Sequence, residues 1–185
     1  AAIAQSCYLN DVPFLVIRAI SDSAAEGAEM TYEQFSKLAT FVKRIKEEHP
    51  NVILVDAGDR FTGNPYVDHA KEKGFPIISL MNDLGYEVGT LGNHEFDFGQ
   101  KILRARINDA TFPIICANIN SSRGELDSIP PYHIIEKDGI KLGFISFVQT
   151  ETDQIPSTNP ERLKDITFDH YLDKVEDYKP LKRQC

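Results

Sequence analysis

The chain has 185 residues, a net charge of −8, 42% hydrophobic residues and 26% charged ones. That size suits one ordinary α/β domain with a real core, or one domain with a smaller appendage, and the balance excludes a disordered chain. No apolar run approaches the length of a membrane-spanning helix, and the acidic excess argues against a nucleic-acid backbone as main partner, because neutralising phosphates needs a basic face.

Residues 1 to 9 alternate small and apolar residues like the tail of a helix, and Asn10-Asp11 breaks it before the apolar run Pro13 to Ile17, which predicts a buried strand. Ser21-Asp22-Ser23 ends that strand in a loop. Thr31 with Gln34 three residues on forms a capping box for a helix starting near Tyr32. Tyr32, Phe35, Leu38, Phe41, Val42 and Ile45 keep one apolar face through to His49, and Pro50 stops the helix. Lys43, Arg44 and Lys46, followed at once by Glu47 and Glu48, read as its solvated face.

From there strands and helices alternate: strand Val52 to Val55, helices Pro65 to Lys73 and Ile77 to Leu84, strand Glu87 to Leu91, helix Gly99 to Asp109, strand Pro113 to Ala117. This is an α/β layered pattern. Tyr132 to Lys137, the turn Asp138-Gly139 and Ile140 to Val148 predict a β-hairpin, since Asp-Gly supplies positive φ at little cost. The tail from Glu151 is polar, with a weak final helix. Cys7, Cys116 and Cys185 are odd in number and lack CxxC spacing, so neither a disulfide framework nor a thiolate zinc site is predicted. No signal peptide can be read in the N-terminal residues given, so the expectation for the chain as given is cytoplasmic, with any export signal lying upstream and the compartment otherwise unknown.

Two polar loops follow directly on apolar strands: Asp56-Ala57-Gly58-Asp59 after VILV, and Gly92-Asn93-His94-Glu95 after EVGTL. Strand carboxyl ends in α/β sheets are where ligands bind. Asp, Asn and His there supply hard oxygen and imidazole donors, suited to one or two divalent metals that activate water and neutralise a phosphoryl group. As single turn dipeptides Gly-Asp and Gly-Asn would be unremarkable; here both occur, each after a strand.

TLGNHEFDFG, about thirty residues after DAGD, resembles the signature of calcineurin-like metallophosphoesterases. LVDAGDRFTGNPYVD, LMNDLGYEVGTLGNHEFDFG, FPIICANI and IIEKDGIKLGFI narrow the resemblance to the 5′-nucleotidase family, over about residues 38–185. It implies a layered α/β sandwich, two divalent metal ions and a nucleotide or other phosphomonoester substrate. It further implies that Asp59 bridges the metals, that Asn93 binds the second metal, and that His94 stabilises charge developing on the phosphoryl group. Asp56 would be a structural loop carboxylate, with Glu95 and Asp97 orienting the histidine loop. The family's Asp-x-His pair is not found upstream of Asp56, and its later histidines are not matched: His49, His69, His133 and His170 stand in other contexts. The resemblance therefore predicts an incomplete set of ligands and impaired catalysis.

Residues 1 to 38 resemble something else. AAIAQSCYLNDVPFLVIRAISDSA followed by MTYEQFSKLA is similar to the C-terminal end of methylthioadenosine/S-adenosylhomocysteine nucleosidase, a strand-helix piece of a nucleoside phosphorylase-like fold. By that resemblance Asp22 would protonate the purine as a general acid and Ser21 would help place the base. The two parts, 1–38 and 39–185, would join within the helix at FSKLATFVK, as a gene fusion, a recombination product or an artefact of sequence assembly.

Three functional expectations result. The first is a metal-dependent phosphomonoesterase of 5′-nucleotidase type, whose family is often exported. The second is a non-catalytic hybrid fragment or interaction module, whose open sheet edges would promote self-association. The third is a nucleosidase-derived enzyme acting through Asp22.

Overall fold

The computed structural model describes residues 11, 13–16, 32–63, 65–121, 125–150 and 159–185. Its first element is the helix α1 (Tyr32–Glu48), whose inward face carries Leu38, Val42 and Ile45 while Lys43 and Arg44 are exposed. The predicted solvated face is corrected at Lys46, whose Nζ donates to the carbonyls of Leu84 (3.1 Å) and Gly85 (2.8 Å). Those carbonyls end the helix α3 (Phe75–Leu84), where a cation satisfies both hydrogen-bonding and dipole demands. The Thr31 capping box lies outside the described residues.

The predicted buried strand at Pro13 to Ile17 is also corrected. Pro13 to Val16 belong to no strand and are exposed, Leu15 by 63% and Val16 by 65%; Ile17 lies outside the described residues. An apolar run becomes a strand only when a sheet edge accepts its backbone, and none of the described ladders includes it. The predicted helix from Pro65 to Lys73 is shorter, α2 (Pro65–Asp68), because the chain turns again through Gly74, which has φ +74° and caps the start of α3.

The central sheet is parallel. Val55 bridges Val88, and β1 (Gly89–Thr90) pairs with β2 (Ile114–Ile115), with Gly89 opposite Ile114. Main-chain bonds from Glu87 N to Leu54 O (2.9 Å) and from Asp56 N to Val88 O (3.0 Å) extend this ladder beyond its shortest regular parts. The connection between Val88 and β2 runs through α4 (Gln100–Asp109), the crossover that parallel strands need.

Alternation along the strands sends neighbouring side chains to opposite faces. Ile114 joins the main core with Ile78, Met81, Leu91, Phe96 and Leu103. Ile115, with Val88, faces Ile135 and Phe144 on the other side. Those last two belong to the hairpin β4 (Tyr132–Lys137) and β5 (Ile140–Ile145), so the sheet lies between a helical layer and a β layer. The hairpin's turn matches the sequence expectation: Asp138 and Gly139 have φ of +51° and +76°. Lys137 Nζ anchors it to Glu87 Oε1 and Val52 O, each at 2.7 Å.

The polar tail contributes more than a weak helix. β3 (Ile119–Asn120) pairs antiparallel with β6 (Thr167–Phe168), and Ile166 and Phe168 enter the main core. A short helix, α5 (Tyr171–Val175), and a 3-10 segment (Glu176–Arg183) follow, with His170 Nδ1 accepting from Leu172 N at the helix start. Cys116 is a buried free thiol whose pKa is pushed up to about 11 by burial, and Cys185 is free and exposed. No helix of the described residues is long and apolar enough to cross a membrane.

Candidate active site

Because Val55 and Val88 pair in parallel, the loops that follow their strands emerge at the same edge of the sheet. The first turns sharply at Gly58 (φ +87°) and Asp59 (φ +61°), a left-handed conformation that Asp tolerates better than most side chains. The second passes from Leu91 through Gly92 and Asn93 into a 3-10 turn (His94–Phe96). The two loops touch backbone to backbone: a Cβ on Gly58 would stand 2.5 Å from the nitrogen of Gly92.

Glu95 fastens them together. Its side chain is fully buried. Oε2 accepts from Asp59 N (2.8 Å) and Gly92 N (2.5 Å), and Oε1 accepts from Arg60 N (2.7 Å). Three amide dipoles aimed at one carboxylate make a charge-assisted cluster that replaces the lost hydration.

Arg60 is a site residue that the sequence expectations passed over. Its guanidinium is buried, 2.7 Å from Asp56 Oδ2 and 3.6 Å from Glu95 Oε1, and it donates to Thr90 O. Asp56 Oδ2 also accepts from Gly58 N at 3.0 Å, which places Asp56 in the frame of the loop. The available signal was the spacing of four between Asp56 and Arg60, which carries little weight outside a helix.

On the open side of this frame, His94 N donates to Asp59 Oδ1 (3.1 Å). The His94 ring is partly exposed and lies against two groups: Nδ1 is 2.7 Å from Asp97 Oδ2 and 3.0 Å from Thr62 Oγ1. Thr62 Oγ1 in turn donates to Asp97 Oδ2 at 2.7 Å. An ionised carboxylate only accepts, so the bond to Asp97 puts the hydrogen on Nδ1 and leaves Nε2 as the nitrogen outside the triangle. The Asp97 hydrogen bond raises the His94 pKa above its ordinary value, against the lowering effect of burial, with Asp97, Asp59 and Glu95 charges adding to the rise.

The structure thus brings Asp56, Asp59, Asn93, His94, Glu95 and Asp97 to one edge, whereas Ser21 and Asp22 lie outside the described residues. For a metal ion the donor chemistry is apt, a carboxylate on Asp59 and an amide oxygen on Asn93. The number is not: among the described residues no three His, Cys, Asp or Glu side chains converge as a metal would require. Asp59 and Asn93 fit part of a metal shell, which no others of the described residues complete.

A layered α/β fold with Asp and His-bearing loops at adjacent strand ends defines a phosphoesterase-like class. The family profile "Calcineurin-like phosphoesterase" matches residues 15–180, and the chain belongs to that family, whose members use divalent metal ions. The chain is 39% identical over 132 residues to the trifunctional nucleotide phosphoesterase protein YfkN of Bacillus subtilis, covering 61% of this chain and 9% of that protein. It is 33% identical over 159 residues to the snake venom 5′-nucleotidase of Gloydius brevicauda, covering 83% of this chain and 26% of that one. Its fold matches the crystal structure of a 5′-nucleotidase precursor from Thermus thermophilus with a TM-score of 0.67 and 26% identity, over 79% of this chain and 28% of the other. The chain therefore spans under a third of the length of each of these three. The profile begins at residue 15, inside the 1–38 stretch, and these matches supply nothing for a nucleosidase piece there.

Proposed function

We propose that this chain belongs to a metal-dependent phosphomonoester hydrolase acting on nucleotides, of the 5′-nucleotidase type. The observation that carries this is the joining of Asp59 to His94 across the two loops, with the His94 ring held through Nδ1 so that Nε2 is the nitrogen left to meet a phosphoryl or leaving-group oxygen. A bound divalent metal would supply Lewis-acid activation of water and of the phosphoryl oxygens, with Asp59 and Asn93 among its ligands. His94 would hold a proton at Nε2 and offset charge building on the phosphoryl group or leaving oxygen, with Asp97 stabilising the imidazolium form. The names of the relatives support a nucleotide substrate.

The test is phosphate release from adenosine monophosphate, with and without added divalent metal, beside Asp59→Ala and His94→Ala. Metal-dependent release that Asp59→Ala abolishes supports the reading. Unchanged turnover in His94→Ala would sink the role given to the histidine.

A second reading, a non-catalytic hybrid, draws on the shortage of converging ligands among the described residues. Absence of phosphate release from a folded chain would favour it. The nucleosidase reading rests on the resemblance around Ser21 and Asp22, and its test is adenine release from methylthioadenosine, with none expected.

A further inference from the structure

Thr62 has no place in the reading above, yet its hydroxyl closes a triangle with the two polar groups that define the exposed part of the site. Oγ1 lies 2.7 Å from Asp97 Oδ2 and 3.0 Å from His94 Nδ1, while those two atoms are themselves 2.7 Å apart. Donor and acceptor capacities allow one consistent assignment. Asp97 Oδ2 accepts from both the Thr62 hydroxyl and the His94 Nδ1–H, and the remaining lone pairs of Thr62 Oγ1 face that same Nδ1–H. Threonine has few χ1 states and one hydroxyl, so a fixed Thr62 restricts both the carboxylate and the ring.

Thr62 is also placed independently of the histidine loop. It follows Phe61, a fully buried residue of the main core, whereas His94 and Asp97 belong to the 3-10 turn and its end. The other charges near the ring are Asp59 on the first loop and Glu95 on the second, and both are engaged by main-chain amides. Thr62 is thus the contact through which the first loop's core anchor reaches the histidine ring itself.

We propose that Thr62 is a positioning residue for His94: its hydroxyl holds the Asp97 carboxylate in one rotamer, and Asp97 then keeps a hydrogen on His94 Nδ1, which makes the neutral ring the Nδ1–H tautomer and leaves Nε2 as the nitrogen that takes up the second proton and meets substrate. Its bearing on turnover rests on the phosphomonoesterase reading. The geometric role does not.

The test is read by nuclear magnetic resonance without substrate, at a fixed pH at which His94 is neutral. Ring nitrogen shifts give the tautomer and side-chain couplings give the Asp97 rotamer. The wild-type chain is expected to show a single Asp97 rotamer and the Nδ1–H tautomer. Thr62→Val, which keeps the shape and removes the hydroxyl, is expected to average the Asp97 couplings and lower the ratio of Nδ1–H to Nε2–H forms several-fold. Thr62→Ser restores both. An unchanged Thr62→Val spectrum, or a serine variant that fails to restore the wild-type pattern, overturns the proposal. Should Thr62→Val not fold, the wild-type chain decides: mixed tautomers or an averaged Asp97 overturn the proposal, and a single form of each supports it. A chain that shows this pattern but releases no phosphate contradicts the functional reading and leaves the positioning role standing.

Discussion

The Asp59 carboxylate occupies the space that a side chain on Gly92 would need: a Cβ on Gly92 would stand 2.6 Å from the Asp59 Cγ, and Oδ1 would be closer still. The Asp59 carboxylate is folded back over the second loop, where Oδ1 accepts from His94 N. Gly92→Ala is expected to push the carboxylate off this seat and to lower stability by about 1–3 kcal/mol, the usual cost of overpacking a tight contact. Urea denaturation measures the loss, and disappearance of His94 amide protection in hydrogen exchange locates it.

Glu95 tests whether the two loops are held by one carboxylate. In Glu95→Gln one of the two oxygens becomes an NH2 group facing amide donors, so at least one of the bonds from Asp59, Arg60 and Gly92 is lost at a fully buried position. Hydrogen bonds to charged groups contribute roughly 1.5–3 kcal/mol each, so a destabilisation of at least ~2 kcal/mol is expected. A melting temperature unchanged from wild type would show that the loops are held by other means.

The pH response of His94 has a definite sign. Its pKa in the folded chain is raised, first by the Asp97 hydrogen bond. A raised folded-state pKa stabilises the fold fully below the unfolded-state value and loses that contribution as pH rises through the folded one. Asp97→Asn removes the charge and the carboxylate acceptor, so the His94 titration midpoint should move down. Histidine ring resonances followed against pH check this, and a midpoint that stays or moves up refutes it.

Asn118 ties the tail to the core. Its side chain is fully buried, with Nδ2 donating to the carbonyls of Val148 and Asp169 at 2.9 Å each and Oδ1 accepting from Val148 N at 2.9 Å. Asn118→Ala strands buried main-chain groups on two segments and is expected to cost about 2 kcal/mol or more. The β3–β6 pairing should open first, seen as faster amide exchange around Phe168. Uniform loss across the sheet would argue against a local tether.

The amino-acid sequence by itself determined the helix through Glu48, the crossover helix α4 and the hairpin with its Asp138-Gly139 turn, since periodicity and turn chemistry are local properties. It also brought out the two site loops, because Gly, Asp, Asn and His directly after apolar strands form a local pattern. Tertiary structure alone decided other features. Pro13 to Val16 looked like a buried strand, but no described ladder pairs with them, and Ile166 and Phe168 looked like part of a polar tail, but the pairing of Phe168 with Ile119 brings that segment into the main core. Arg60, Thr62 and Lys46 gain their roles from groups at least thirty residues away in the chain: Thr90 O, His94 and Leu84 O. Such contacts leave no local periodicity to read, because they are set by which loops the parallel sheet places side by side.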